Sequence, residues 1–308
     1  MNRRLIALLW MLCAVPAAAQ LTPEQYRENY ERQVRNVGYA GIGVETILDR
    51  WEEAAPDDGA MLLGRFHFYL EKATSSSVEV KDMNRYLGAE PLLSVPDSTG
   101  RKVNYFQEFF YDEELFGQAQ QAIDRAIQLY PDELGYRLDK ISALTDYEKE
   151  SPDMAAAELA ALVDYHRSAH PSWTYEGSAV DEDFFLAIIQ QYCYSFYRVG
   201  TPNSYDSFLA LSEKMAKLYP KNPEFQNNIG TYWLIVKKNN RKALTYYNKV
   251  IKLDPDHYAA IKNCVLVARN MKDTKLEKKY LPMLVRVTDS EGERMSAQAR
   301  LDYLGGKR

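Results

Sequence analysis

His166 and His170 stand four residues apart, the spacing at which two imidazoles on one helix face could hold a metal ion. The zinc-hydrolase pattern with that spacing places a glutamate directly after the first histidine as general base, and here Arg167 occupies the position. The pair therefore reads as a cationic helix end facing the carbonyl-rich terminus. Cys193 and Cys264 belong to no Cys-x-x-Cys pair and no Cys/His cluster, so no structural zinc site is expected. Apolar residues flank each at helical spacing, Tyr192 and Phe196 around one, Val265 and Val267 around the other. Both are expected to pack as small apolar groups, and spacing alone does not decide whether they join as a disulfide. Gly38, Gly41 and Gly43 lack the preceding strand and the closing glycine of a dinucleotide fingerprint and read as a loop between helices. There is no Gly-x-Ser-x-Gly elbow and no phosphate-binding loop. Asp57-Asp58 and Asp181-Glu182-Asp183 read as helix starts, where carboxylates cap free amides. No catalytic, cofactor or metal site is expected, and the chain reads as a non-enzyme.

Side chains outside any catalytic group can still recognise a partner, and a recurring helical spacing would position them. Ala243, Tyr247, Val250 and Pro255 follow the order small, large, small or apolar, proline, at intervals of four, three and five. Ala119, Ile123, Ala126 and Pro131 repeat it, with looser copies at Phe208, Ser212, Met215 and Pro220 and at Val44, Leu48, Trp51 and Pro56. Positions four and three apart share one helix face, a small residue lets two helices approach, and proline cannot continue the helix. This is the second helix of a tetratricopeptide unit. The preceding helix of the best copy starts at Pro223, with Asn228, Ile229, Gly230 and Trp233 at the polar, apolar, glycine and aromatic positions. Gln226 stands where that pattern has tryptophan, and one extra residue lengthens the turn near Asn239-Asn240. The expected fold is all-α: a tetratricopeptide-like solenoid of helical hairpins with a small inserted β-hairpin.

Four segments follow. Residues 1–19 read as a secretory signal: Arg3 and Arg4, an apolar stretch from Leu5 to Val15, and Ala17-Ala18-Ala19 before Gln20. That stretch is short of the roughly 20 residues needed to span a membrane. Trp10, Met11 and Leu12 before Cys13 do not fit a lipidation signal, so no lipid anchor and no mature transmembrane helix are expected. Residues 20–73 hold N-terminal helical repeats. Residues 74–111 break the helical pattern, with Pro96-Asp97-Ser98-Thr99-Gly100 as turn chemistry and β-prone residues from Val103 to Phe106, and read as a β-hairpin insertion. It interrupts one repeat, whose first half carries Leu63-Gly64 and whose second half runs from Glu113 to Tyr130. Residues 112–308 continue the repeats, closed by capping helices at about 258–271 and 275–287.

Asp97-Ser98-Thr99-Gly100, the run from Phe116 to Pro131, Arg137-Leu138-Asp139, Trp173-Thr174-Tyr175 and Leu218-Tyr219-Pro220 resemble a group of exported tetratricopeptide proteins of Bacteroidota. The resemblance implies a periplasmic or extracellular location and a solenoid fold, and no defined activity.

Within such a fold, first helices line a groove that binds extended peptide or a protein surface. Asn227, Asn228 and Thr231, with Lys262 and Asn263 in the next unit, are the expected groove contacts, because amides clamp a peptide backbone and lysine meets a carboxylate. The expected function is a non-catalytic interaction scaffold of the bacterial cell envelope; the alternative is a glycan or small-ligand binder with Trp173 and Tyr175 stacking on sugar. Net charge is −5, and it is divided: residues 20–200 carry −16 and residues 201–308 carry +9. Lys272, Lys275, Lys278 and Lys279 would give weak attraction to anionic surfaces. The lysines are not interleaved with aromatic residues in a recognition pattern, and no nucleic-acid partner is expected.

Overall fold

The computed structural model describes residues 21–306, and the expected export signal lies outside the described residues. The chain forms two compact units. One comprises residues up to Thr74 with Asp112–Tyr130; the other comprises Ser75–Tyr111 and the residues from Pro131 onward.

The first unit holds α1 (Pro23–Val37), α2 (Val44–Ala54), α3 (Gly59–Ala73) and α4 (Glu113–Leu129). Thr22 starts α1 with a reciprocal cap to Gln25, Asp58 starts α3 by accepting from the Ala60 and Met61 amides, and Asp112 starts α4. Leu48, Trp51, Met61, Ala119, Ile123 and Ala126 are fully buried between them. Gly64 sets the helix approach: a Cβ there would lie 2.9 Å from Leu48 and 3.1 Å from Tyr30. The chain leaves at the end of α3 and returns beside it, with the Asp112 amide donating to the Ala73 carbonyl at 2.9 Å, and α4 then packs along α3.

The inserted segment holds one strand more than the expected hairpin. β1 (Thr74–Lys81), β2 (Leu93–Pro96) and β3 (Lys102–Tyr111) form a sheet in the order β1-β3-β2. β2 and β3 are antiparallel, Leu93 opposite Tyr105 and Pro96 opposite Lys102, around a turn in which Asp97 accepts from the Thr99 and Arg101 amides. The sheet packs within the second unit. Tyr111 lies 5.5 Å from the Tyr147 ring, and Arg198 donates to the Gly88 carbonyl at 2.6 Å.

The rest of that unit is α5 (Leu134–Glu148), α6 (Asp153–Ala169), the two-residue strands β4 (Thr174–Tyr175) and β5 (Ser178–Ala179), α7 (Glu182–Val199), α8 (Pro202–Leu218), α9 (Pro223–Thr231), α10 (Asn240–Leu253), α11 (Tyr258–Asn270), α12 (Thr274–Val287) and α13 (Glu291–Leu304). Consecutive helices pack as hairpins, α7 with α8, α9 with α10, α11 with α12, and α13 is a further closing helix with Ala297 as its buried residue. Ala243, Tyr247 and Val250 are fully buried, and a Cβ on Gly230 would lie 2.7 Å from the Tyr247 ring. That approach of a glycine to the large residue of the next helix makes the fold tetratricopeptide-like: an all-α solenoid of helical hairpins with a small inserted sheet. The extra residue expected in the turn near Asn239 is instead absorbed one step earlier, by a π-helical turn at Tyr232–Val236 closed by the Lys237 amide on the Tyr232 carbonyl at 3.2 Å. Cys193 on α7 and Cys264 on α11 are both buried and unbridged, and burial pushes each thiol up to about 12.

Candidate functional site

Phe225 and Ile229 anchor α9 in the core, which turns Asn227 and Thr231, one turn apart, to the other side of the helix. Asn227 is half-buried and its amide oxygen has no hydrogen-bond partner. Thr231 is half-buried, its hydroxyl 3.3 Å from the Tyr247 hydroxyl. Asn228 is not a groove contact: it is 6% exposed and exchanges two hydrogen bonds with Gln190 of α7, at 2.8 and 3.1 Å, so its amide is consumed in joining two repeats. Lys262 is exposed but engaged, 3.0 Å from Glu293 of α13 and 2.8 Å from the Tyr258 hydroxyl. Its charge is answered by a carboxylate of its own chain, which removes it as a free clamp. Asn263 is half-buried beside it. None of the five hydrogen-bonds to another, and the pair with unspent capacity is Asn227 and Asn263.

Trp173 is corrected as a sugar platform. It is 3% exposed, its indole N–H donates to His166 Nδ1 at 3.0 Å, its ring lies nearly parallel to Phe185, and the Arg137 guanidinium covers it at 5.7 Å. No sugar face can reach a ring enclosed in this way. Tyr175 remains half-buried against Phe184. The same contacts correct His166, which is no cationic helix end: its ring stacks on Phe185 at 3.9 Å, its nitrogen accepts a proton donor, and burial lowers its pKa. His170 ends α6 in a left-handed conformation.

His257 joins two repeats in a way the sequence does not announce. Its Nδ1 accepts from the Ala260 amide at 3.2 Å as the N-cap of α11, while Nε2 lies 3.1 Å from Glu224 at the start of α9. The Nε2–H tautomer satisfies both contacts. Asp139 on α5 is also unannounced as a site residue. Burial, with the charge of Glu176 adding to it, pushes its carboxyl up to about 6.

A cavity of about 300 Å³ in the first unit is lined by the rings of Tyr30, Tyr39, Trp51 and His67, with Arg27 and Arg35 among its polar neighbours. Trp51 is fully buried and its indole N–H has no partner. Burial lowers the His67 pKa to about 4, so the imidazole is neutral at physiological pH. Among the described residues no group of three or more His, Cys, Asp or Glu side chains is placed to hold a metal ion, and no helix is long and apolar enough to cross a membrane.

No family model matches the chain, and no curated protein does. Solved structures of similar shape include pilF of Pseudomonas aeruginosa, at 15% identity over 62% of this chain and 78% of that one, with a TM-score of 0.41. The C-terminal part of a TPR repeat-containing protein from Cytophaga hutchinsonii is 14% identical over 92% of this chain and 96% of its own, at 0.43. The flexible tandem repeat domain of a bacterial cellulose synthase component is 15% identical over 93% and 98%, at 0.28. What the hairpin packing itself defines is the fold: a tetratricopeptide-like stack of helical hairpins.

Proposed function

We propose that this chain is a non-catalytic interaction scaffold of the bacterial cell envelope, exported through the signal at residues 1–19, that binds an extended peptide or protein segment along the first helices of its second unit. One observation carries the reading: on α9 the core-facing amide of Asn228 is satisfied by Gln190, whereas Asn227, on the other side of the helix, keeps an amide oxygen without a partner. That oxygen is enclosed in the fold, and an enclosed acceptor without a partner costs free energy that a peptide N–H returns once the Asn227 side chain turns outward to meet it. Thr231 lies one turn further along the same side of α9, and Asn263 is half-buried on α11. A small-ligand role is the alternative, favoured by the aromatic cavity around Trp51.

Selection of displayed peptides on the chain from Gln20 tests the reading. Peptides should be enriched whose affinity falls about tenfold in Asn227→Ala, the loss of one to two hydrogen bonds. Enriched peptides that bind Asn227→Ala unchanged would place the binding elsewhere, and a small molecule that shifts Trp51 fluorescence in the absence of any enriched peptide would favour the alternative.

A further inference from the structure

The connection from the π turn into α10 and the end of α11 meet around a concavity of about 490 Å³ lined by Lys237, Lys238, Asn239, Asn240, Arg241 and Met271. Lys237, Lys238 and Arg241 are exposed, and among the described residues none of them forms an ion pair with a carboxylate. Lys237 has only the face of Tyr232 beside it, at 5.5 Å. Two more cations adjoin the lining in the chain: Lys242, its ammonium 3.3 Å from the centre of the Trp233 ring, and Lys272, exposed and held in a left-handed conformation. The neighbouring acids are engaged by groups outside this cluster. Asp273 accepts from the Leu276 amide, and Glu277 is held by Arg269 and Arg300. Arg65, by contrast, is answered by Asp49 and Glu52, and Arg286 by Asp256.

Three like charges around one small concavity repel each other, and water screens them only in part. An anion of more than one charge relieves that repulsion. We infer that this concavity binds a phosphate-bearing anion. A phosphate concentrates two charges and three or more acceptor oxygens in a volume that three cations can surround, and the planar fork of Arg241 and the side-chain amide of Asn240 offer directed donors to it. A single carboxylate carries half the charge of a phosphomonoester and fewer acceptor oxygens. The site is separate from the Asn227 surface and does not depend on it.

The test is calorimetric titration of the chain from Gln20 with inorganic pyrophosphate, and sedimentation with phosphatidylcholine vesicles with and without phosphatidic acid, whose headgroup is a phosphomonoester, at about 0.15 M salt. Lys237→Glu with Arg241→Glu is compared with Lys275→Glu with Lys278→Glu, an equal change of charge at exposed lysines of α12 that do not line the concavity. Binding should fall at least about tenfold in the first variant and change by no more than about twofold in the second. Pyrophosphate binding identifies a free phosphate compound as ligand; binding to phosphatidic acid vesicles alone identifies a lipid headgroup. Equal weakening in the two variants would reduce the effect to bulk charge and overturn the site, as would absence of wild-type binding in both assays. Thermal melts establish that both variants fold.

Discussion

Adding a single methyl group in Gly230→Ala is expected to destabilise the second unit by about 1–3 kcal/mol, although alanine is the better helix former by about 1 kcal/mol. The new Cβ would stand 2.7 Å from Cε1 and 2.9 Å from Cδ1 of Tyr247. That ring cannot withdraw: it is fully buried among Val250, Cys264 and Tyr280, and its hydroxyl is tied to Thr231. Removing the ring in Tyr247→Ala is expected to cost about 3–5 kcal/mol, a large share of an ordinary domain's stability. The informative measurement is the double variant in urea melts. Once the ring is gone the methyl group has room, so Gly230→Ala should become neutral or stabilising in the Tyr247→Ala background. Additive losses would mean that the glycine is there for some reason other than the approach of α9 to α10.

Asp139→Asn should stabilise the protein by about 1–2 kcal/mol near pH 7.5, and the gain should vanish at about pH 4. The Asp139 carboxyl ordinarily titrates at 3.8, and in the fold it is pushed up to about 6, first by burial and then by the charge of Glu176. A carboxyl whose pKa rises on folding binds its proton more tightly in the folded state. Its favourable contribution is therefore present below about pH 4 and is lost as pH rises through about 6. The full difference would be worth about 3 kcal/mol, and partial access to water lowers it. Equal stability of wild type and Asp139→Asn across that range would show that the carboxyl is solvated and contradict its burial.

The repeat was legible because its spacing is itself the packing rule. Ala243, Tyr247 and Val250, Ala119, Ile123 and Ala126, and even the loose copy Val44, Leu48 and Trp51, are all fully buried. Features that depend on contacts distant in sequence were not legible. β1 opens with Thr74 and three serines, directly after α3 with no turn residue between, and becomes a strand only because β3 lies beside it. Trp173 looks like a loop aromatic until Thr174 bonds Glu133 and Asp132 on a distant segment and closes the ring over Phe185. Asn228 and Gln190 are 38 residues apart, so nothing near either residue shows that one amide will use up the other. The same limit applies to Lys262, whose partner Glu293 sits on a helix that the repeat spacing does not announce. Polar candidates chosen by helix face were thus placed on the correct element, but their availability was decided by neighbours that spacing does not reveal.

Site-specific photo-crosslinking in the native cell tests the proposed scaffold most directly. A photoreactive side chain is placed at Asn227 and, as control, at Lys249, which is exposed on the face of α10 away from Ala243, Tyr247 and Val250. A discrete protein adduct formed from position 227, absent from position 249 and suppressed by a peptide selected on the purified chain, is the predicted result. The same adducts from both positions, or none from 227 while the chain remains folded, would contradict binding along α9.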